Sequence, residues 1–123
     1  MDNGTVAEQP RMIRAPLKQD EIAELAADPF GDMLKFVVDL GRGIAVVGGD
    51  FHSDGEAMLI EDGAAQEDLW GGNYYPGRPP GSRVEYSALI NIRPAQGQRG
   101  HLIASDATRM AVQAVVERLV GPA

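Results

Sequence analysis

The sequence predicts an α+β domain with a mainly antiparallel sheet of four to five strands in hairpins. An N-terminal and a C-terminal helix are expected to pack on one face of that sheet. Apolar residues recur at helical spacing near both ends of the chain, whereas strand-like alternation fills the middle. Strands grouped apart from helices are typical of α+β folds rather than of repeated βαβ units.

The N-terminal part of the chain begins without periodicity. We therefore expect residues 1–10 to be a disordered tail and residues 11–123 to form one domain. Residues 11–14 predict a short edge strand that ends before Pro16. Residues 18–27 are rich in good helix formers with apolar residues at helical spacing, and they predict the first helix.

The middle of the chain carries the strand signals. Residues 34–40 alternate and predict a half-buried strand, which a Gly-Arg-Gly turn joins to a second strand at residues 44–47. Residues 68–75 predict another strand, weakened by its two glycines. Residues 84–92 alternate most regularly and predict the strongest strand, and residues 101–103 predict a short final one.

The last predicted element is a C-terminal helix. Ser105 or Asp106 can cap its start, and apolar residues follow at helical spacing as far as Leu119. Gly121 and Pro122 then provide a stop signal. This helix supplies an apolar stripe for the core.

Charge is distributed unevenly along the chain. The net charge is −7. Seven acidic residues between Ile44 and Gly77 account for it, because the rest of the chain has equal numbers of acidic and basic residues. That stretch contains no Lys or Arg. Such an acidic chain would meet phosphate with like charge, so we expect no nucleic-acid partner. The cluster itself is interpreted either as solvated surface or as a site for a cation.

Cysteine is absent, which excludes disulfides, thiolate metal sites and a cysteine nucleophile. The N-terminus has no signal-peptide pattern, and the apolar runs are much shorter than a membrane span. We therefore expect a soluble, cytoplasmic protein without a membrane partner.

The acidic segment from Asp50 to Glu61 supports two metal hypotheses. As a loop, it matches a calcium-binding pattern at Asp50, Asp54, the following glycine and Glu61, although His52 stands where an oxygen ligand belongs. As a strand, it would place His52, Asp54 and Glu56 on one face, a set that suits manganese, iron or zinc. The alternative is a polar rim bonded to backbone and water.

Two further groups of side chains could bind a ligand. Three of the seven aromatic residues lie between Trp70 and Tyr75, where they could line a shallow pocket with polar neighbours. The polar neighbours in sequence are Glu61, Asp62 and Gln66, and the Asp62-Gly63 turn could bring Asn73 near the acidic residues. The alternative is a turn in which Trp70 anchors the core and Glu61 or Gln66 caps loop amides.

Asn91 and Arg93 would share the polar face of the strongest predicted strand. Arg93 and Arg99 could hold an anion, or they could pair with the acidic cluster across the sheet. Both interpretations stay open at this stage.

Three motifs together resemble a family of short bacterial proteins of unknown function. They are Gly48-Gly49-x-x-His52-x-Asp54-x-Glu56, then Glu61-Asp62-Gly63-x-x-Gln66-x-x-Leu69-Trp70-Gly71-x-Asn73-x-Tyr75-Pro76, and Ile90-Asn91-Ile92-Arg93-Pro94-x-Gln96-Gly97-x-Arg99. The resemblance spans residues 11–120. It implies a stand-alone domain in a bacterial cytoplasm and supplies no activity.

The leading functional hypothesis is a binding module whose polar, acidic site takes a small polar ligand or a divalent cation (calcium, manganese or zinc). One alternative is a protein–protein module or homodimer that uses a strand edge or the surface from Trp70 to Tyr75. Another is a small hydrolase-like enzyme that uses carboxylates, although no catalytic residue can be assigned from the pattern.

Overall fold

The computed structural model describes residues 9–28 and 31–123, and of residues 27, 28, 31 and 32 it describes the backbone alone. Most of the predicted N-terminal tail lies outside this part of the chain. The helices are α1 (Gln19–Ala26), α2 (His52–Glu61) and α3 (Asp106–Leu119). The strands are β1 (Arg11–Ile13), β2 (Ala27–Asp28), β3 (Gly31–Asp32), β4 (Leu34–Asp39), β5 (Ile44–Val47), β6 (Leu69–Tyr74) and β7 (Val84–Glu85). Short 3-10 turns occupy Gln66–Asp68, Leu89–Asn91 and Pro94–Gln96.

Five strands form one antiparallel sheet in the order β1-β5-β4-β6-β7, and β2 pairs with β3 separately. The predicted hairpin is present, with Val38 opposite Ala45 across β4 and β5. The predicted edge strand is also present, because within the described part of the chain β1 pairs with β5 alone. The chain therefore has the α+β fold that its sequence predicts. No helix in the described residues is both long enough and apolar enough to cross a membrane.

The two terminal helices cover one face of the sheet, as predicted. Ile22 of α1 and Val112 and Val116 of α3 belong to the same buried cluster as Phe36 and Val38 of β4. Ser105 caps α3 by accepting a hydrogen bond from the Thr108 amide at 3.1 Å. This face holds the larger of the two apolar clusters in the described residues.

Helix α2 covers the opposite face, and the sequence does not predict it. Leu59 of α2 packs with Val37 and Val46 of the sheet in a second buried cluster. The prediction of a half-buried β4 was therefore wrong, since α2 shields the face that was expected to meet water. A strand buried on both faces carries apolar residues at most positions, which obscures simple alternation.

Both interpretations of residues 50–61, as a calcium loop and as a strand, were wrong because ten of these residues form α2. Gly48 and Gly49 have φ values of 85° and 83° and turn the chain from β5 towards α2. The helix contains Gly55, and Phe51 provides no side-chain cap. Both features disfavour a helix locally. Close packing against the sheet offsets this local cost. Gly55 allows it, because a Cβ at this position would lie only 3.1 Å from Val37 Cγ2.

The C-terminal end of α2 is held by a network of charged side chains. The buried carboxylate of Asp39 accepts hydrogen bonds from the Gly41 amide and from Arg42 Nε, the latter at 2.7 Å. Arg42 and Arg14 both form ion pairs with Asp62, at 3.1 and 2.7 Å. The Arg14 guanidinium is the main cause that holds the pKa of Asp62 below its usual range. Asp62 thus connects α2 to the sheet.

The prediction of a long strand at residues 84–92 was largely wrong. Only Val84 and Glu85 pair with β6, and the chain then forms a 3-10 turn at Leu89–Asn91. The expected strand at residues 101–103 is reduced to one bridge between Leu102 and Ser87. The buried residues of this segment, Ala88 and Asn91, are three positions apart, so its burial does not follow the period of two that the sequence suggests. Periodicity alone does not separate such a segment from a strand.

Candidate functional site

The predicted metal ligands do not form a metal site in the described residues. On α2, His52 and Glu56 are one helical turn apart, whereas Asp54 lies on a different side of the helix. Within residues 9–28 and 31–123, no group of three His, Asp or Glu side chains is arranged to hold a metal ion. Asp54 and Glu61 are exposed to solvent. The strand geometry on which the manganese or zinc hypothesis depended is therefore absent.

Asn91 closes part of the edge of β6. Its Oδ1 accepts a hydrogen bond from the Gly71 amide at 2.8 Å, and its Nδ2 donates to the Gly71 carbonyl at 3.0 Å. Nδ2 also donates to the His101 carbonyl at 3.0 Å. The side chain is fully buried and its polar atoms are all partnered within the protein. Its role is therefore structural.

Arg93 continues the same edge two residues further along. Its guanidinium donates to the carbonyls of Leu69 and Gln66, the latter at 2.6 Å. It also stacks over Trp70, with Cζ 4.2 Å from the ring centroid. These hydrogen bonds go to backbone carbonyls rather than to the acidic side chains that the sequence suggested. Trp70 itself is buried in the main apolar cluster.

The remaining predicted ligand residues are spread over the surface. Asn73 donates to Glu85 Oε1 at 2.9 Å, on the sheet. Gln66 donates weakly to Glu56 Oε2 at 3.4 Å. Arg99 is exposed in the loop after the last 3-10 turn. These side chains do not converge with Glu61 on one pocket.

A cavity of about 610 Å³ opens between the start of α2 and the irregular segment after β7. Only Asp50 and His52 of the predicted site residues line it. The other lining residues are Lys35, Phe51, Ser53, Ser87, Ala88, Leu89, Ile90 and His101. Its volume falls within the range of about 300–1,000 Å³ that is usual for small-molecule sites.

His52 forms part of the polar wall. Its Nε2 lies 2.8 Å from the Gly72 carbonyl oxygen. Because a carbonyl can only accept, Nε2 carries the proton, and in the neutral ring Nδ1 is an acceptor. Burial is the main cause that lowers the pKa of His52, and the positive charge of Lys35 lowers it further. His52 is therefore neutral at physiological pH.

The apolar wall contains two large side chains that remain in water. Phe51 is 65% exposed, although it occupies the N-cap position of α2, where a polar residue would form a cap. Leu89 is 77% exposed at the start of a 3-10 turn. Both line the cavity. Neither contributes much to the core, so their presence is not explained by folding.

Comparison with known protein families places the chain in one of them. Residues 11–119 match the model of a family described as "protein of unknown function (DUF5674)". The chain belongs to this family. No curated protein and no solved structure matches the chain significantly. Membership confirms the resemblance to a family of unknown function, whereas the bacterial cytoplasmic context stays a prediction.

The sequence motifs of the family resemblance now have structural roles. Gly48 and Gly49 form the turn into α2, Asp62 connects its end to the sheet, and Asn91 and Arg93 close the edge of β6. Sequence reasoning missed most of the cavity wall, including Lys35, Phe51 and Leu89. A single sequence gives little signal for them, since residues 87–90 resemble a strand and Lys35 resembles any exposed lysine on a strand.

Proposed function

We propose that the protein is a binding module that takes a small, largely apolar molecule in the cavity between α2 and residues 87–90. The observation that carries this proposal is the exposure of Phe51 and Leu89 on opposite chain segments that line one cavity. Large apolar side chains left in water at a concave site are typical of ligand-binding surfaces. A ligand would cover both and remove them from water.

Phe51 gives the stronger argument, because a phenylalanine is an unfavourable residue at the N-cap of a helix. A Ser at an N-cap stabilises a helix by about 0.5–2 kcal/mol relative to a residue that cannot cap. Phe51 has no cap hydrogen bond and stays mostly exposed, so it provides neither capping nor full burial. Residues that lower stability without a folding role are expected at functional sites.

The lining does not favour an enzyme. His52 donates to a backbone carbonyl and has no carboxylate partner among the hydrogen bonds of the described residues. Ser53 and Ser87 line the same cavity, but no described hydrogen bond joins either hydroxyl to His52. A nucleophile paired with an oriented base is therefore not present in this geometry.

A fluorescent probe tests the proposal directly. N-phenyl-1-naphthylamine is uncharged and brightens in apolar surroundings, so we expect saturable, one-to-one binding to the protein. Phe51→Ser should abolish or strongly weaken binding, because it removes one apolar wall. The free energy of unfolding should stay within about 1 kcal/mol, since the new cap offsets the lost packing.

Matched controls separate the cavity from general surface hydrophobicity. Leu89→Gln removes an exposed apolar side chain at the cavity, and Met110→Gln removes one on α3 that is 70% exposed and does not line it. We expect only Leu89→Gln to weaken probe binding. Equal effects of the two substitutions, or binding that survives Phe51→Ser and Leu89→Gln, would contradict the proposal.

A second candidate function is a homodimer formed through the same exposed residues. It is favoured by the size of Phe51 and Leu89, which a second copy could cover as well as a ligand could. Sedimentation over a wide concentration range tests it. A dimer that dissociates in Leu89→Gln but persists in Met110→Gln would support this candidate, and a concentration-independent monomer would remove it.

A further inference from the structure

Lys35 is the one lysine or arginine in the described lining of the cavity. This residue lies on β4, on the face that α2 covers, and its side chain is partly buried. It lines the cavity together with the neutral His52. Among the described residues, the ion pairs of the chain involve five other basic–acidic combinations and none includes Lys35.

An ammonium group that forms no ion pair within the protein is available to an anion that enters the cavity, and a hydrogen bond between two charged groups is a strong one. Asp50 is the one acidic side chain in the described lining, but it is exposed to solvent rather than paired with Lys35. The rest of the lining offers hydroxyl groups, imidazole rings and apolar side chains. Within the described residues, the lining therefore combines a lysine that forms no ion pair, a solvent-exposed carboxylate at Asp50 and an apolar surface.

We propose that the ligand is a small organic acid with an apolar body, whose carboxylate binds Lys35. The apolar body would lie against Phe51, Leu89 and Ile90, which line the same cavity. The hydroxyl groups of Ser53 and Ser87 can donate further hydrogen bonds to a carboxylate. This inference rests on the proposed function, because it names the class of molecule for the same cavity.

The test compares three probes that share a phenyl ring and a chain of four carbons and carry a negative, a neutral or a positive head group. They are 4-phenylbutyrate, 4-phenylbutanamide and 4-phenylbutylamine. Dissociation constants are measured by NMR titration of the full-length protein at constant ionic strength. We expect the acid to bind about tenfold more tightly than the amide, since a hydrogen bond to a charged group is stronger than a neutral one. The amine should bind more weakly than the amide.

Two lysine variants provide the matched comparison, because Lys18 and Lys35 are the only lysines in the chain. Lys35→Gln should remove the preference for the acid and leave amide binding unchanged. Lys18→Gln makes the same change of charge at an exposed residue outside the cavity lining, and it should keep the preference. Lys35→Arg should keep most of it.

The outcomes separate this inference from the proposed function. Equal binding of acid and amide, a preference that survives Lys35→Gln, or tightest binding of the amine would overturn the organic-acid inference and leave the apolar cavity intact. Failure of all three probes together with N-phenyl-1-naphthylamine would overturn the proposed function itself. If Lys35→Gln loses the preference for the acid and Lys18→Gln keeps it, both the proposed function and the organic-acid inference are supported.

Discussion

The side-chain amide of Asn91 forms hydrogen bonds with both the N–H and the carbonyl of Gly71, at 2.8 and 3.0 Å. The N–H and carbonyl of one strand residue point to the same side, so Gly71 presents both groups at the edge of β6. Asn91 therefore pairs with β6 as a residue of a neighbouring strand would. Arg93 lies two residues after Asn91, and its guanidinium donates to the carbonyl of Leu69, which lies two residues before Gly71.

Removing the Asn91 amide should destabilise the fold. Asn91→Leu keeps the number and branching of the side-chain heavy atoms but leaves the buried N–H and carbonyl of Gly71 without their side-chain partners. Each such buried group costs about 1–3 kcal/mol, so we expect a loss of about 3 kcal/mol in the free energy of unfolding. Urea denaturation measures it. Gln96→Leu, at an exposed position, is the control, and equal effects of the two substitutions would contradict the structural role.

The sheet should not tolerate a methyl group at Gly72. A Cβ there would lie 2.5 Å from the Glu85 carbonyl oxygen and 2.5 Å from Phe36 Cζ. We expect Gly72→Ala to lower the free energy of unfolding by about 2 kcal/mol or more, because a backbone strand and a buried ring would both have to move.

Gly100→Ala is the matched control for Gly72, since a Cβ at Gly100 meets no atom of the described residues within 4 Å. We expect its effect to stay within about 0.5 kcal/mol. Similar midpoints for the two variants in urea would show that the close packing between β6, β7 and Phe36 is not as described.

Stability should fall as the pH drops through the titration range of His52. Burial lowers the pKa of His52 in the folded protein. The unfolded chain therefore binds the proton more readily, and the free energy of unfolding rises with pH until it levels off above the unfolded pKa of about 6.5. Between pH 7.5 and 5 the wild-type protein should lose stability progressively.

His52→Gln removes the titration and retains an N–H that can donate to the Gly72 carbonyl. Its stability should therefore depend less steeply on pH across the same range, as urea midpoints at several pH values would show. Because the lowered pKa values of Glu21 and Asp62 concern carboxylates that titrate at lower pH, they do not obscure this window. Parallel curves for the two proteins would argue against a buried, neutral His52.

Much of the fold can be predicted from the sequence because its terminal helices and the β4–β5 hairpin have strong local signals. Ser105 caps α3, and alternation in residues 34–40 marks β4. Helix α2 cannot be predicted in this way. Its cap is missing at Phe51, it contains Gly55, and it forms because it covers a second apolar face of the sheet. Tertiary packing overrides local propensity there.

The candidate site is less predictable than the fold for a related reason. Asn91 and Arg93 were predicted to bind a ligand because their side chains are polar. In the structure their side chains form hydrogen bonds to the backbone at the edge of β6. The cavity depends on the start of α2 and on the irregular segment at residues 87–90, and both were predicted as other structures. Lys35 and Phe51 can be recognised as cavity residues only when the positions of these two segments are known.

The most direct test of the account is to locate a bound probe by NMR. Amide signals of ¹⁵N-labelled protein are followed while N-phenyl-1-naphthylamine is added. The account predicts the largest shifts at Phe51, His52 and residues 88–90, with little change on α3. Large shifts confined to α3 or to the surface around Arg99, or no shifts at saturating probe, would contradict the proposal that this cavity is the binding site.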